Sequence, residues 1–255
     1  MAREFASRAR AITQAVLALA LLARSVYAAP TLEACVAEVR RANDTLAQIF
    51  RQWPLHATGD PIDTALQAVA SQLAARAGEQ DHRHWRTHVI RDSKLNAFSI
   101  GDGHVFVTEG MLRFVQSEAE LAALLAHEFA HHVAGHFCQR SKKPGLLGHL
   151  FSGSDAPAEQ RQVGTLSASL DPAKEREADR IGTVILERGG YNPRAAVLLA
   201  VRMAASGTPA HFQYDQRIEA MQALLANKPS ANWIANDSAA FTRMKEGLRA
   251  ELGGS

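Results

Sequence analysis

The sequence predicts an α+β fold, mostly helical with a small antiparallel sheet. Three observations predict it. Apolar residues recur at helical spacing in stretches on both sides of the middle of the chain. Asp-Pro and Ser-x-x-Glu start signals stand before several of these stretches. Between them the period switches to two, in short alternating runs bounded by glycine. With 255 residues, 47% hydrophobic and 21% charged, the chain can build one globular domain with a sizeable core.

The first residues stand apart from that domain. Arg3, Arg8 and Arg10 make a basic stretch, Ala11 to Ala23 an apolar one, and Val26-Tyr27-Ala28 a small-residue cleavage site. Residues 1–28 therefore read as a signal peptide cleaved near Ala28, and 29–255 as the single domain of a periplasmic or otherwise exported chain. The alternative is an uncleaved anchor, for which the apolar run is short, since a bilayer span takes about 20 residues. Cleavage removes Arg3, Arg8, Arg10, Arg24 and Glu4. The 28 basic and 26 acidic residues become 24 and 25, and the net charge of +2 becomes −1. No nucleic-acid partner is expected from that balance. In an oxidising compartment Cys35 and Cys138 can pair, tying the first helix to the end of the central one, or remain two buried thiols.

In chain order, Leu32, Cys35, Val36, Val39, Leu46 and Ile49 space a helix from Thr31 to about Trp53. Asp60-Pro61 opens a second, which Gly78 ends near Ala77. Trp85, Thr87 and Val89 then alternate, followed by Asn96 to Ile100, the turn Gly101-Asp102-Gly103, and His104 to Thr108. The last of these strands is the candidate edge for an added peptide. Ser117-Glu118-Ala119-Glu120 is a capping box ahead of an alanine-rich helix reaching about Cys138. Residues 141–170 carry no sustained period. Their apolar patch, Leu146 to Phe151, could close over a cleft, make peripheral membrane contact, or pack on the domain. Asp171-Pro172 opens a helix ended by Gly189-Gly190, and Asn192-Pro193 another to about Ala205. A helix from Asp215 to Ala226 and an amphipathic one from Ser238 to Leu252 complete the chain.

The alanine-rich helix carries His127-Glu128-Phe129-Ala130-His131, an H-E-x-x-H run. Residues four apart lie one above the other on a helix, so His127 and His131 can offer two imidazole nitrogens to one tetrahedral zinc. Glu128 then reaches the activated water and acts as its base, an arrangement suited to hydrolysis. A third ligand is needed. The extension H-x-x-G-x-x-H fails, because Ala134 and Phe137 occupy its positions. His132 lies about 100° round the helix and points elsewhere. His136 is also off the ligand face, and reads as a supporting or structural residue. A separate helix offers Glu175-Arg176-Glu177-Ala178-Asp179, in which Glu175 and Asp179 share a face. One of these carboxylates can bind zinc while the other accepts an N–H from a ligating imidazole. Gly182 allows the two helices to approach closely.

H-E-x-x-H followed by E-x-E-A-D-x-x-G, and preceded by Asn96-Ala97-Phe98 and Val105 to Gly110, resembles the zinc metallopeptidases of the HtpX, BepA and LoiP type. These are gluzincins related to the CaaX prenyl protease. The resemblance runs from about Asp81 to Met221 and implies a zincin-like metallopeptidase domain binding one Zn²⁺ per chain. It implies His127, His131 and Glu175 as the metal ligands and Glu128 as the catalytic base, with Asp179 in support. It also places His211 near the metal, to stabilise the transition state or gate the fourth zinc position, with Arg217 six residues on. Two departures from the family pattern stand out. Phe212 replaces the proline that commonly follows this histidine, and Asp171-Pro172-Ala173-Lys174 replaces a Ser-Arg pair ahead of the third ligand. The implied activity is a zinc metalloendopeptidase acting on unfolded or misassembled envelope proteins. The alternative is a catalytically silent zinc-bearing chaperone or adaptor for the same proteins.

Overall fold

A computed structural model of the protein describes residues 35–79, 83–138, 171–206, 214–228 and 232–253. The signal peptide expected at 1–28, the 141–170 segment and His211 lie outside the described residues. Residues 33–255 group as one compact unit.

The elements run α1 (Val36–Gln52), α2 (Pro61–Ala77), β1 (Arg86–Ile90), β2 (Ala97–Gly101), β3 (His104–Thr108), α3 (Glu109–Phe114), α4 (Glu118–Val133), α5 (Pro172–Arg188), α6 (Arg194–Ala205), α7 (Tyr214–Leu225) and α8 (Ala239–Gly253). This is the mostly helical α+β architecture expected. The start signals work as their chemistry requires. Asp60 Oδ1 accepts from the Ile62 amide at 2.8 Å, and Asp171 Oδ1 from the Ala173 amide at 2.9 Å, each beside a proline at the first helical position. Ser117 Oγ accepts from the Glu120 amide, while the Glu120 carboxylate reaches back past the cap to the Gln116 amide. Gly78 ends α2 at φ 77°, a conformation open to glycine. The short helix α3 was not anticipated. Thr108 caps it by accepting from the Met111 amide, a signal hidden in what reads as the end of a strand.

The sheet departs from expectation in two respects. Its order is β1-β3-β2, and it is mixed rather than wholly antiparallel. Asp102 and Gly103, at φ 49° and 76°, form the tight turn that makes β2 and β3 an antiparallel hairpin. The returning β3 then enters between β2 and β1 and runs parallel to β1. β3 is thus the buried central strand and not the edge expected for an added peptide. Alternation reports which face a side chain takes, but not on which side the next strand joins.

Both faces of the sheet are covered. On one, Val89, Val105 and Val107 join α2 and α4 in the main core, which includes Leu66, Leu73, Leu121, Leu125 and Phe129. On the other, α1 brings Ile49 and Trp53 against Ile90, Phe98, Ile100 and Phe106. Phe98 and Phe106, directly opposed across the hairpin, stack at 5.1 Å, and Trp53 meets Phe98 edge-on at 5.6 Å. α4 is the hub, lying against α5, α6, α2 and β2. Its alanines keep it slim enough for so many neighbours. No helix among the described residues is long and apolar enough to cross a membrane.

Candidate metal centre

α4 and α5 meet where their functional residues lie. A Cβ on Gly182 of α5 would sit 3.1 Å from Ala126 O and from the His127 N and Cα, so only glycine allows this approach without displacement. Across that contact, His127 Nε2 and His131 Nε2 are 3.1 Å apart. Glu175 Oε2 lies 3.3 Å from the first and Glu175 Oε1 3.3 Å from the second. Donors about 2.0–2.1 Å from a tetrahedral zinc stand roughly 3.3 Å from each other. The three side chains therefore fit a small tetrahedral cation in spacing as well as in chemical type, and could hold one. A second observation supports the fit. Glu175 Oε1 is buried without a hydrogen-bond donor, and the two Nε2 atoms face one another.

The outer nitrogens are held in the sense that leaves the inner ones free to ligate. His127 Nδ1 lies 3.0 Å from Asp179 Oδ1, in ion-pair range though not aligned as a hydrogen bond. Arg217 from α7 clamps Asp179 through two 2.7 Å hydrogen bonds, and its remaining nitrogen lies 3.2 Å from Glu175 Oε2. His131 Nδ1 meets His136 Nδ1 at 2.9 Å, and His136 Nε2 meets Glu177 Oε2 at 3.2 Å. A proton on His131 Nδ1 directed to His136, and one on His136 Nε2 directed to Glu177, satisfies all four atoms.

Charge complementarity is strong. Burial disfavours a charged His127, but its contacts with Asp179 and Glu175 outweigh this and raise its pKa to about 10. Burial likewise opposes ionisation of Glu175, yet His127 and His131 hold it well below the usual carboxylate range. Asp179 is lowered to about 2 against burial, by Arg217 and then His127. The two carboxylates of the pocket, Glu175 and Asp179, are thus held ionised against the cationic partners His127 and Arg217.

The structure brings together His127, His131, Glu175, Asp179, His136 and Arg217, and sets Glu128 beside them on the same helix. His132 turns away, as expected, toward the buried Glu38–Arg83 pair. Two contacts were not anticipated. Ser99 Oγ donates to Glu128 Oε2 at 2.8 Å, and Arg83 Nη1 donates to Glu38 Oε1 at 2.8 Å. The N-A-F-S run containing Ser99 was visible in the sequence, but nothing local tells which helix its hydroxyl will meet. Cys35 and Cys138 are disulfide-bonded, with Cα atoms 5.8 Å apart. That leaves no thiolate for the metal grouping they could make with Glu38. The grouping of His56, Glu109 and Glu251 is engaged instead by Arg91 and Arg113.

Known proteins are similar to this chain. The mitochondrial metalloendopeptidase OMA1 of Schizosaccharomyces pombe is 32% identical over 178 residues, covering 66% of this chain and 52% of the relative. The beta-barrel assembly-enhancing protease of Yersinia pestis is 28% identical, covering 53% of this chain and 32% of the relative. Its Escherichia coli K12 counterpart is 30% identical, covering 42% and 26%. The chain thus spans about half or less of the length of these relatives. The family described as Peptidase family M48 matches residues 62–232, from the start of α2 to beyond α7 and across every residue of the site. On that match, the chain belongs to peptidase family M48.

Proposed function

We propose that the protein is an exported zinc metalloendopeptidase that cleaves unfolded or misassembled envelope proteins. The observation that carries the reading is the convergence of His127 Nε2, His131 Nε2 and Glu175 at tetrahedral spacing, with Glu128 adjacent. These three side chains would hold one zinc per chain. When bound there, the metal supplies Lewis acidity, polarising a carbonyl and acidifying water. The remaining work belongs to the chain. Glu128 takes the proton of the attacking water and passes it to the departing amine. Asp179, clamped by Arg217, and His136 fix the orientation of the two ligand imidazoles. His211 is retained from the family resemblance as a residue that stabilises the transition state or gates the metal.

Substrate backbone adds to β2. Its partner β3 occupies only one side, and β2 has no backbone partner on the other among the described residues. Pairing of this kind requires an extended segment, which favours unfolded chains over folded ones. The envelope setting rests on the leader-like N-terminus and on the printed name of the beta-barrel assembly-enhancing relatives.

The test compares metal content and cleavage of an unfolded casein for the wild type and Glu128→Gln. Expected are about one zinc per chain in both and a loss of cleavage of about 10²–10⁴-fold in the variant. Equal cleavage refutes Glu128 as base. Client binding without cleavage by either protein replaces the peptidase with the chaperone or adaptor reading.

A further inference from the structure

A glutamate side chain keeps considerable rotamer freedom unless something holds it, and a general base has to be held in reach of its proton. Glu128 is 7% exposed, and Ser99 is its one hydrogen-bond partner among the described residues. The contact leaves Oε1 without a partner among those residues, while Oε2 is taken by the serine hydroxyl. Donation from a hydroxyl to a carboxylate is charge-assisted and stronger than a neutral hydrogen bond.

The location of Ser99 follows from the sheet. Its neighbours Phe98 and Ile100 point into the cluster beneath α1, so Ser99 projects from the opposite face, where Val105 is its cross-strand partner and α4 lies alongside. β3 fixes the strand on one side. The hydroxyl thus links the carboxylate to a rigid element, and to the same strand on which a peptide would pair.

We infer that Ser99 is a positioning residue for Glu128, holding Oε2 so that Oε1 stays turned toward the reacting water and in register with the peptide on β2. The inference rests on the reading of Glu128 as the base. Its hydroxyl acts through the carboxylate, so its removal slows the chemical step and leaves peptide pairing intact.

The experiment uses Ser99→Ala, Ser99→Thr, Glu128→Gln and the double variant Ser99→Ala/Glu128→Gln. Each is assayed with an unfolded casein peptide, and zinc content and melting midpoint are recorded alongside. Ser99→Ala is expected to lower kcat about tenfold at nearly constant KM, with wild-type zinc content and midpoint. Ser99→Thr keeps the hydroxyl and suits a strand, and restores most of the rate. In the Glu128→Gln background, Ser99→Ala adds no further loss, because two residues acting as a unit are not additive. Wild-type kcat in Ser99→Ala overturns the inference, as does a threonine variant as slow as the alanine one, or an equal fold-loss in both backgrounds. Full activity in Glu128→Gln overturns the reading of the base itself. Loss of activity in Glu128→Gln together with wild-type kcat in the single variant Ser99→Ala overturns only the role of Ser99.

Discussion

Arg217 carries more of the site than its distance along the chain suggests. Two of its nitrogens bind Asp179 and the third approaches Glu175, so one guanidinium orients both of these carboxylates. Lysine keeps the charge but is a point donor and cannot reproduce the fork. Arg217→Lys is therefore expected to weaken zinc binding about 10–100-fold with the fold intact, read by chelator competition and circular dichroism. Unchanged affinity would show that Asp179 needs no clamp. His127, His131, Glu175 and Asp179 were legible in the sequence because i,i+4 spacing is local geometry that any helix enforces. His136 was legible as a supporting or structural residue off the ligand face, but its 2.9 Å contact with His131 depends on the turn after α4. Ser99 was not legible as a partner of Glu128. Two residues 29 apart meet only because β2 is laid along α4.

Among the elements, helices were easier to place than the sheet, for a physical reason. A helix completes its hydrogen bonds within itself, so its ends carry their own signals, as at Asp60-Pro61 and Asp171-Pro172. A strand borrows its bonds from a neighbour, and the order β1-β3-β2 had to be settled by tertiary packing. The pairing of α4 with α5 lies between these cases, since Gly182 announced a close approach of the two helices but not which residues of α4 it would meet. Gly182→Ala tests that contact. Alanine favours a helix by about 1 kcal/mol over glycine, while a methyl 3.1 Å from α4 backbone costs about 1–3 kcal/mol in overpacking. These nearly offset, so the melting midpoint should shift little. The site should register the change more strongly, because α5 must retreat from His127 itself. Zinc affinity is expected to fall about tenfold, measured by chelator competition, since ligand sets tolerate little displacement. Wild-type affinity would mean that the two helices separate without moving Glu175.

For the molecule as a whole, the question is what secures α1. Among the described residues it adds no side chain to the main core, and Leu46 and Ile49 pack in the smaller cluster on the far face of the sheet. Its first turn is fastened differently. Glu38 accepts from Arg83 and from the Asp102 amide, at 2.8 and 3.0 Å, and Cys35 is joined to Cys138 just beyond the motif helix. That bond closes a loop with a sequence separation of 103 residues. In the chain-entropy account a loop of this size restricts the unfolded state enough to stabilise the fold by about 4–5 kcal/mol, and removing native disulfides typically costs about 2–5 kcal/mol. Such a loss is a large part of the stability of an ordinary domain, about 5–15 kcal/mol. Cys35→Ala/Cys138→Ala is accordingly expected to unfold at clearly lower urea than the oxidised wild type, and reductant should move the wild type toward the variant while leaving the variant unchanged. Because the Glu38 contacts persist in the variant, amide exchange should accelerate first in the opening turns of α1 and last in α4. Identical urea midpoints with and without reductant would refute this view, leaving Glu38 and the small aromatic cluster as sufficient to hold α1.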